Sequence, residues 1–272
     1  THGNELCGAI AVDFLFRSGL RPARGKLSLG FANVAAYRRF DRANPVASRF
    51  VDEDFNRVWA ADVLDGPRQS VELARAREIR PLIDQVDLML DIHSMQQKTV
   101  PLMLSGPLAK GRDFARRLGY PATVVADRGH SAGTRMRDYG GFGVEKSAKN
   151  ALLVECGQHW EQASETVALR TMLLFLRESG VIDAAAIAPS LGAEPLAPQK
   201  VVEVTDAITV KTEAFAFSQD FIGMECIAEA GTVIARDGAA DVVTPYANCV
   251  LIMPSRRLKP GQTAVRLGRY LS

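Results

Sequence analysis

The stretch "VDLMLDIHS" (Val86 to Ser94) is an apolar run of strand length that ends in polar and charged residues. It fits a buried strand whose carboxyl end, at Asp91 and His93, opens onto a site. Three more runs of the same kind follow: "TVPLMLSG" (99–106), "ATVVAD" (122–127) and "NALLVECG" (150–157), the last with Glu155 near its end. Helical periodicity separates them. Ser70 is placed to cap a helix to about Gln85, with Leu73, Ala76, Ile79 and Leu82 or Ile83 inward, and Pro81 can kink or divide it. Asp113 to Leu118 has helical character and is closed by Gly119; Ser164 is placed to cap a helix through about Glu178. Upstream, Glu5 to Ser18 fits a helix with Leu6, Ile10 and Phe14 inward and Val12 and Leu15 as further candidates for that side, stopped by Gly19, and Lys26 to Ala32 (KLSLGFA) alternates like a strand. Helices alternating with buried strands argue for an α/β sandwich of three layers, with a mostly parallel or mixed central sheet covered on both faces. In such sheets ligands sit at the carboxyl ends of the strands, where His93 and Glu155 both fall.

The character changes near residue 187. "APSLGAEPLAPQ" (188–199) has the composition of a turn-rich linker. Short strand candidates follow at Lys200 to Val204, Ile208 to Thr212, Gly231 to Ala235, Asp241 to Thr244 and Cys249 to Met253, with no convincing helix. Residues 1–186 are therefore expected to form the α/β domain and 187–272 a small all-β domain.

Composition narrows the function. The 272 residues are 47% hydrophobic, enough for a sizeable core. Thirty-three basic and 31 acidic residues give a net charge of +2, with no basic block to suggest nucleic acid. No run approaches the 18 or so apolar residues of a membrane span. Four scattered cysteines form no CxxC pair and fit reduced thiols in a cytoplasmic protein. Only four histidines occur, at positions 2, 93, 130 and 159, which shortens any search for metal ligands.

"THGNE" (1–5) opens the chain with His2 and Glu5 three apart, beside a Gly-Asn turn that leads into a helix. An HxxE pair arises often by chance, but both side chains could face one ion, and His93 is the natural third ligand. Zinc accepts imidazole nitrogen and carboxylate oxygen, and catalytic zinc keeps three protein ligands and one open position. A carboxylate must still carry protons to the leaving group, and Glu155 is the candidate. The long irregular segment 33–57 includes "SRFVDEDFNR" (48–57), where Arg49, Asn56 and Arg57 form a polar group suited to a carboxylate or a developing oxyanion. Asp52, Glu53 and Asp54 could neutralise these arginines, or Asp54 could orient a neighbour in the site.

"THGNE", "DFNR" (54–57), "DIHS" (91–94) and "VECG" (154–157), in that order, resemble the motifs of the succinylglutamate desuccinylase and aspartoacylase family, within the zinc carboxypeptidase clan. The family opens with a strand leading into the first motif, so residues are expected upstream of Thr1. The resemblance implies one zinc held by His2, Glu5 and His93, and Glu155 as the proton-transfer carboxylate. It further implies Arg49 as the carbonyl-polarising arginine, seven residues before Asn56, and Asn56 with Arg57 as the grip on the substrate's α-carboxylate. The implied reaction is hydrolysis of a small N-acyl amino acid to an acid and a free amino acid, by metal-activated water. A zinc-carboxypeptidase-like sandwich, a small C-terminal β domain and a homodimer are implied with it. The same resemblance matches Tyr246, in a turn between strands, to a family tyrosine that reaches the active site from the C-terminal domain.

One departure bears on the substrate. Aspartoacylase has an arginine about ten residues before the catalytic glutamate, which grips the acyl carboxylate; here that position is Glu145. Lys146, Arg135 or Arg137 could substitute, and the alignment is open through the glycine-rich "DYGGFG" (138–143). Gln96, Gln97 and Lys98 could line the pocket, as could His130 in its loop; His159, near Trp160, could back the site. Two other readings keep the scaffold: a zinc carboxypeptidase acting on short peptides, and a non-catalytic binding protein for a small ligand. The second has no need of Glu155.

Overall fold

The computed structural model describes residues 1–129, 132–192 and 195–271. His130 lies outside the described residues. The α/β portion runs α1 (Leu6–Ser18), α2 (Val34–Tyr37), α3 (Ala61–Leu64), α4 (Val71–Ile83), β1 (Leu88–Met95), β2 (Leu102–Leu104), α5 (Ala109–Leu118), β3 (Thr123–Ala126), β4 (Asn150–Gln158), α6 (Gln162–Ser179) and α7 (Ala184–Leu191). The strands follow as β5 (Lys200–Thr209), β6 (Phe215–Phe217), β7 (Cys226–Ile227), β8 (Val233–Asp237), β9 (Ala240–Val243), β10 (Cys249–Ile252) and β11 (Thr263–Tyr270).

A mixed eight-stranded sheet of order β1-β4-β2-β3-β5-β11-β10-β7 forms the frame, with a three-stranded sheet β6-β8-β9 beside it. β1 pairs parallel with β4, β2 with β3 and β3 with β5, while β2 runs antiparallel to β4. The first half of β5 continues the α/β sheet through β3, and along its length it pairs antiparallel with β11. Both sequence segments thus share one sheet.

Two apolar layers sandwich the α/β strands. On one face α1, α5, α6 and α7 pack over β4 and its neighbours, burying Leu15, Phe114, Leu152, Leu173 and Ile187. On the other face Phe55, Trp59, Leu73 and Phe142 pack against Met89 and Ala151. Each large side chain so buried contributes roughly 1.5–3 kcal/mol. A third cluster joins Leu102, Leu104, Val125, Leu153 and Val202 to Val250 and Ile252 of β10, fastening the C-terminal strands to the site-bearing sheet.

Local readings of the chain meet this frame with four corrections. In α1 the buried stripe is Cys7, Ala11 and Leu15, while Ile10 is exposed. The helix lies close on β1, where a Cβ at Gly8 would stand 3.4 Å from Ile92, so small residues face the sheet: Leu15 is buried as expected, while Cys7 and Ala11 take the places expected of Leu6 and Ile10. Lys26 to Ala32 forms no strand; Leu27 and Leu29 instead pack at the margin of the first core cluster without a paired neighbour. Residues 188–191 continue α7 before Gly192 ends it. Ser164 lies inside α6, whose cap is Glu161, and its hydroxyl donates to the Gln158 carbonyl at 2.6 Å. Ser70 caps α4 as expected, accepting from the Leu73 N–H at 2.9 Å, and Pro81 sits in the last turn, where Ile83 rather than Leu82 faces inward. No helix among the described residues is long and apolar enough to cross a membrane.

Candidate metal centre and catalytic site

The opening turn, the carboxyl end of β1 and the carboxyl end of β4 meet at one point. β1 and β4 pair in register, with His93 beside Glu155. In-register partners share a face of the sheet, so both side chains stand on the same side. Glu5, at the N-cap of α1, lies between two imidazoles: its Oε1 is 2.9 Å from His2 Nδ1 and its Oε2 is 3.0 Å from His93 Nδ1. Ligand atoms of His2, Glu5 and His93 all lie within 4.8 Å of one another, and all three residues are buried.

The far ring nitrogens are held as well. His2 Nε2 is 2.8 Å from Asp54 Oδ1, and His93 Nε2 is 2.9 Å from Asp91 Oδ2. Asp91 in turn accepts from the Thr1 hydroxyl, and Asp54 from the Asn56 N–H at 2.9 Å. A carboxylate behind each imidazole fixes the ring and leaves Nδ1 for a metal, the usual support of a histidine ligand. Asp91 lies two residues before His93, and alternate strand residues share a face; that spacing is the signal by which it could have been found.

The electrostatics favour a cation. Burial works against an ionised Glu5, yet His2 and His93 hold its carboxyl well below the usual range. Burial likewise opposes a charged His93, but Asp91 and Glu5 push it up to about 10. Asp54 is held low by His2 and Arg49 against its own desolvation. With neutral imidazoles, the side chains of Glu5, Asp54 and Asp91 against that of Arg49 leave two negative charges, which a divalent ion balances. Buried charges of this kind persist when paired or bound to metal, and two imidazoles with one carboxylate are a zinc donor set.

Gly3 explains how Arg49 arrives here. A Cβ at Gly3 would stand 2.3 Å from the Ser48 carbonyl oxygen and 2.4 Å from the Ala36 carbonyl carbon, so only glycine lets the opening turn touch that segment. The Gly3 N–H donates to the Arg49 carbonyl at 3.2 Å. Arg49 Nη2 then pairs with Asp54 Oδ2 at 3.0 Å, and Nη1 lies 3.6 Å from Glu5 Oε1. The loop itself hangs on Glu72, fully buried in the first turn of α4, which accepts from the N–H groups of Val51, Asp52 and Glu53 at 2.7, 3.0 and 3.2 Å and from Asn33 Nδ2 at 2.9 Å. Sequence reasoning missed Glu72, because only the fold brings three consecutive backbone donors to it.

Glu155 differs from the other acids. Its Oε2, like Asp91 Oδ2, is buried without a hydrogen-bond partner, but unlike Asp91 it pairs with no imidazole, and burial pushes its carboxyl up to about 8 despite the nearby His93 and Arg49. Cys156 turns to the other face of β4 and is buried in the helix-covered core with Cys7; all four cysteines are free thiols.

The remaining sequence candidates divide. Asn56 is buried, its Oδ1 accepting from the Met136 N–H at 2.7 Å and its Nδ2 lying 3.3 Å from His93 Nε2. Arg57 is half-buried; its Nη1 donates to the Asn56 carbonyl at 2.7 Å, and it has no carboxylate partner among the described residues. Arg135 is spent in a bidentate pair with Asp127, both bonds 2.8 Å, and on Asp138. Arg137 reaches Asp138 at 2.6 Å and the Ser105 and Ala151 carbonyls. Lys146 is exposed and makes no hydrogen bond or ion pair among the described residues. The Tyr246 hydroxyl meets Thr205 and its ring lies under Arg269, 3.8 Å from ring centroid to guanidinium carbon, outside the metal cluster. His159 is buried behind the site with Nδ1 2.7 Å from the Ser94 hydroxyl, and burial pushes it down to about 4, so it stays neutral.

Known structures share this arrangement of elements. The chain superposes on a succinylglutamate desuccinylase from Vibrio parahaemolyticus with a TM-score of 0.68 at 17% identity, covering 100% of this chain and 80% of that one. Against the succinylglutamate desuccinylase from Chromobacterium violaceum the TM-score is 0.69 at 17% identity, covering 100% and 82%. Against murine aminoacylase 3 it is 0.66 at 18% identity, covering 99% and 92%. At such identities the likeness concerns the fold. No curated protein matches the chain by sequence. Residues 1–178 match the family model of the succinylglutamate desuccinylase/aspartoacylase catalytic domain, and with the sandwich and the His2, Glu5 and His93 cluster in place, the chain belongs to that family.

Proposed function

We propose that the protein hydrolyses the amide bond of a small N-acyl amino acid, with zinc held by His2, Glu5 and His93 and with Glu155 as the proton carrier. The observation that carries this reading is Glu155: a buried acid with an unpartnered oxygen, in register with His93, and with a carboxyl raised to about 8. A general acid–base works best near the operating pH, and a binding protein gains nothing from such a group. When bound, zinc supplies Lewis-acid polarisation of the amide carbonyl and lowers the pKa of water toward about 7. Glu155 accepts the water's proton and delivers it to the leaving nitrogen. Arg49, braced by Asp54, offers its guanidinium to the carbonyl oxygen as charge develops there. Arg57 takes the α-carboxylate, helped by the amide hydrogens of Asn56, whose oxygen is committed to Met136. The walls around Arg57 are close: a Cβ at Gly133 would stand 2.3 Å from its carbonyl oxygen.

The test is metal analysis of the wild type and His93→Ala, followed by turnover of a panel of N-acyl amino acids and short peptides. About one zinc per chain is expected in the wild type, lost in the variant together with hydrolysis. Stoichiometric zinc with no N-acyl turnover would falsify the deacylase reading, and cleavage of peptides alone would replace it with a carboxypeptidase.

A further inference from the structure

The end of β4 does more than carry Glu155. Between the pair His93–Glu155 and the pair Met95–Gln158, β4 has one residue more than β1. Gly157, at φ +109°, lies in that irregularity. The chain then leaves the strand through a two-residue turn, His159 and Trp160, before α6 begins. This corner touches both segments that supply the candidate ligands. The His159 N–H donates to the Met95 carbonyl at 2.7 Å, and His159 Nδ1 lies 2.7 Å from the hydroxyl of Ser94, the neighbour of His93. The Trp160 indole Nε1–H donates to the carbonyl of Asn4 at 3.0 Å, between His2 and Glu5. The two rings of the corner pack together, with centroids 5.2 Å apart.

Trp160 has φ +65°. That left-handed conformation crowds Cβ against the carbonyl oxygen and is an outlier for a bulky side chain, whereas glycine adopts it freely. Burial does not account for the tryptophan, because it is 45% exposed. What the conformation achieves is direction: it delivers the indole N–H to Asn4. A strained residue of this kind persists where its surroundings over-determine it. The turn that receives it has few other holds. Its backbone is tethered to other segments at two points among the described residues, the Gly3 N–H on the Arg49 carbonyl at 3.2 Å and the Asn4 carbonyl under Trp160. Glu5 makes no side-chain cap bond at the start of α1, and Oδ1 of the buried Asn4 has no hydrogen-bond partner.

We propose that Trp160 is a positioning residue for the metal centre: its indole N–H fixes the His2–Glu5 turn against the strand that carries Glu155, and so sets the spacing between the ligands and the catalytic acid. This rests on the zinc reading above. The two groups joined by the bond are 156 residues apart in the chain, so nothing local holds them together. Without the bond the ligand turn keeps its Arg49 tether alone, and the cost of ordering it falls on metal binding.

The test pairs Trp160→Phe, which keeps an aromatic ring and loses the donor, with Trp160→Gln, which loses the ring but carries an amide N–H as many bonds from Cβ as the indole nitrogen. Zinc affinity is measured by chelator competition on the folded proteins, where global stability does not enter the reading. Trp160→Phe is expected to bind zinc roughly 3- to 30-fold more weakly than wild type, a smaller loss than that of a group bonded directly to a ligand ring. Trp160→Gln recovers part of the loss. Wild-type affinity in Trp160→Phe, or a loss in Trp160→Gln as large as in Trp160→Phe, overturns the proposal and leaves the zinc reading intact. If the wild type binds no zinc, the zinc reading fails, and hydrogen exchange of the metal-free proteins decides the role of Trp160. Exchange about threefold or more faster in Trp160→Phe across the opening turn, with the C-terminal strands unchanged, upholds the tether; equal exchange in the two proteins overturns it.

Discussion

The candidate metal cluster and the arginines outside it are built on opposite principles. At the centre each imidazole has a carboxylate on either side, and Arg49 is braced by Asp54. Outside it Arg57 donates to the Asn56 carbonyl and Arg266 lines a cavity wall, and neither forms an ion pair among the described residues. The first arrangement fixes geometry before any ligand arrives, as a catalytic constellation requires. The second leaves guanidiniums less constrained by the protein itself. The contrast separates a cluster braced by its own counter-charges from arginines that lack an ion-pair partner.

Glu155 is where that contrast is broken most sharply, because it is the one unbraced acid inside the braced centre. Glu155→Gln should keep zinc and lose hydrolysis by about 10²- to 10⁴-fold, measured as kcat at saturating substrate. The same variant carries a pH signature. In the metal-free protein burial raises the Glu155 carboxyl from 4.5 to about 8. The fold then holds a proton that the unfolded chain releases, so this group's contribution is present below about 4.5 and is lost as pH rises toward 8. Metal-free Glu155→Gln should therefore match wild type near pH 5 and exceed it at pH 8, by on the order of 3 kcal/mol in urea unfolding. A constant difference across that range would show that the acid is not buried uncharged.

Glu72 tests the bracing from a distance. Glu72→Leu strips one acceptor group from three backbone donors and Asn33, and about 2–4 kcal/mol of stability should go with it. Glu72→Gln should recover part of the loss, because one amide oxygen still accepts. The mildest change is Asp91→Asn, which leaves the ligands untouched and weakens only the support behind His93. Zinc affinity should fall about 10- to 100-fold in competition with a chelator. No change there would assign Asp91 to packing alone and blur the contrast between centre and wall.

The metal centre was legible in the chain because its residues sit at strand ends and in a helix-opening turn, where local pattern betrays them. His93 and Glu155 each close an apolar run, and His2 and Glu5 flank a glycine with no room for a Cβ. Other elements were misread for a common reason. α1 buries Ala11 rather than Ile10 because close approach to β1 selects small residues, and periodicity counts only large ones. The Lys26 to Ala32 segment alternates like a strand but has no neighbour to pair with.

Sequence alone therefore determined the sandwich, the order of its strands along the chain, and which side chains could bind a metal and move a proton. These follow from the period of apolar residues and the valence of donor groups, both local properties. Tertiary structure alone decided which cations are spent. Arg135 and Arg137 looked available in the chain and are consumed by Asp127 and Asp138. Nothing local marks Arg266, which β11 carries onto the sheet face that bears Glu155. Charge compensation is a property of neighbours in space, and the sheet that makes Arg266 a neighbour of Glu155 is assembled from strands more than a hundred residues apart.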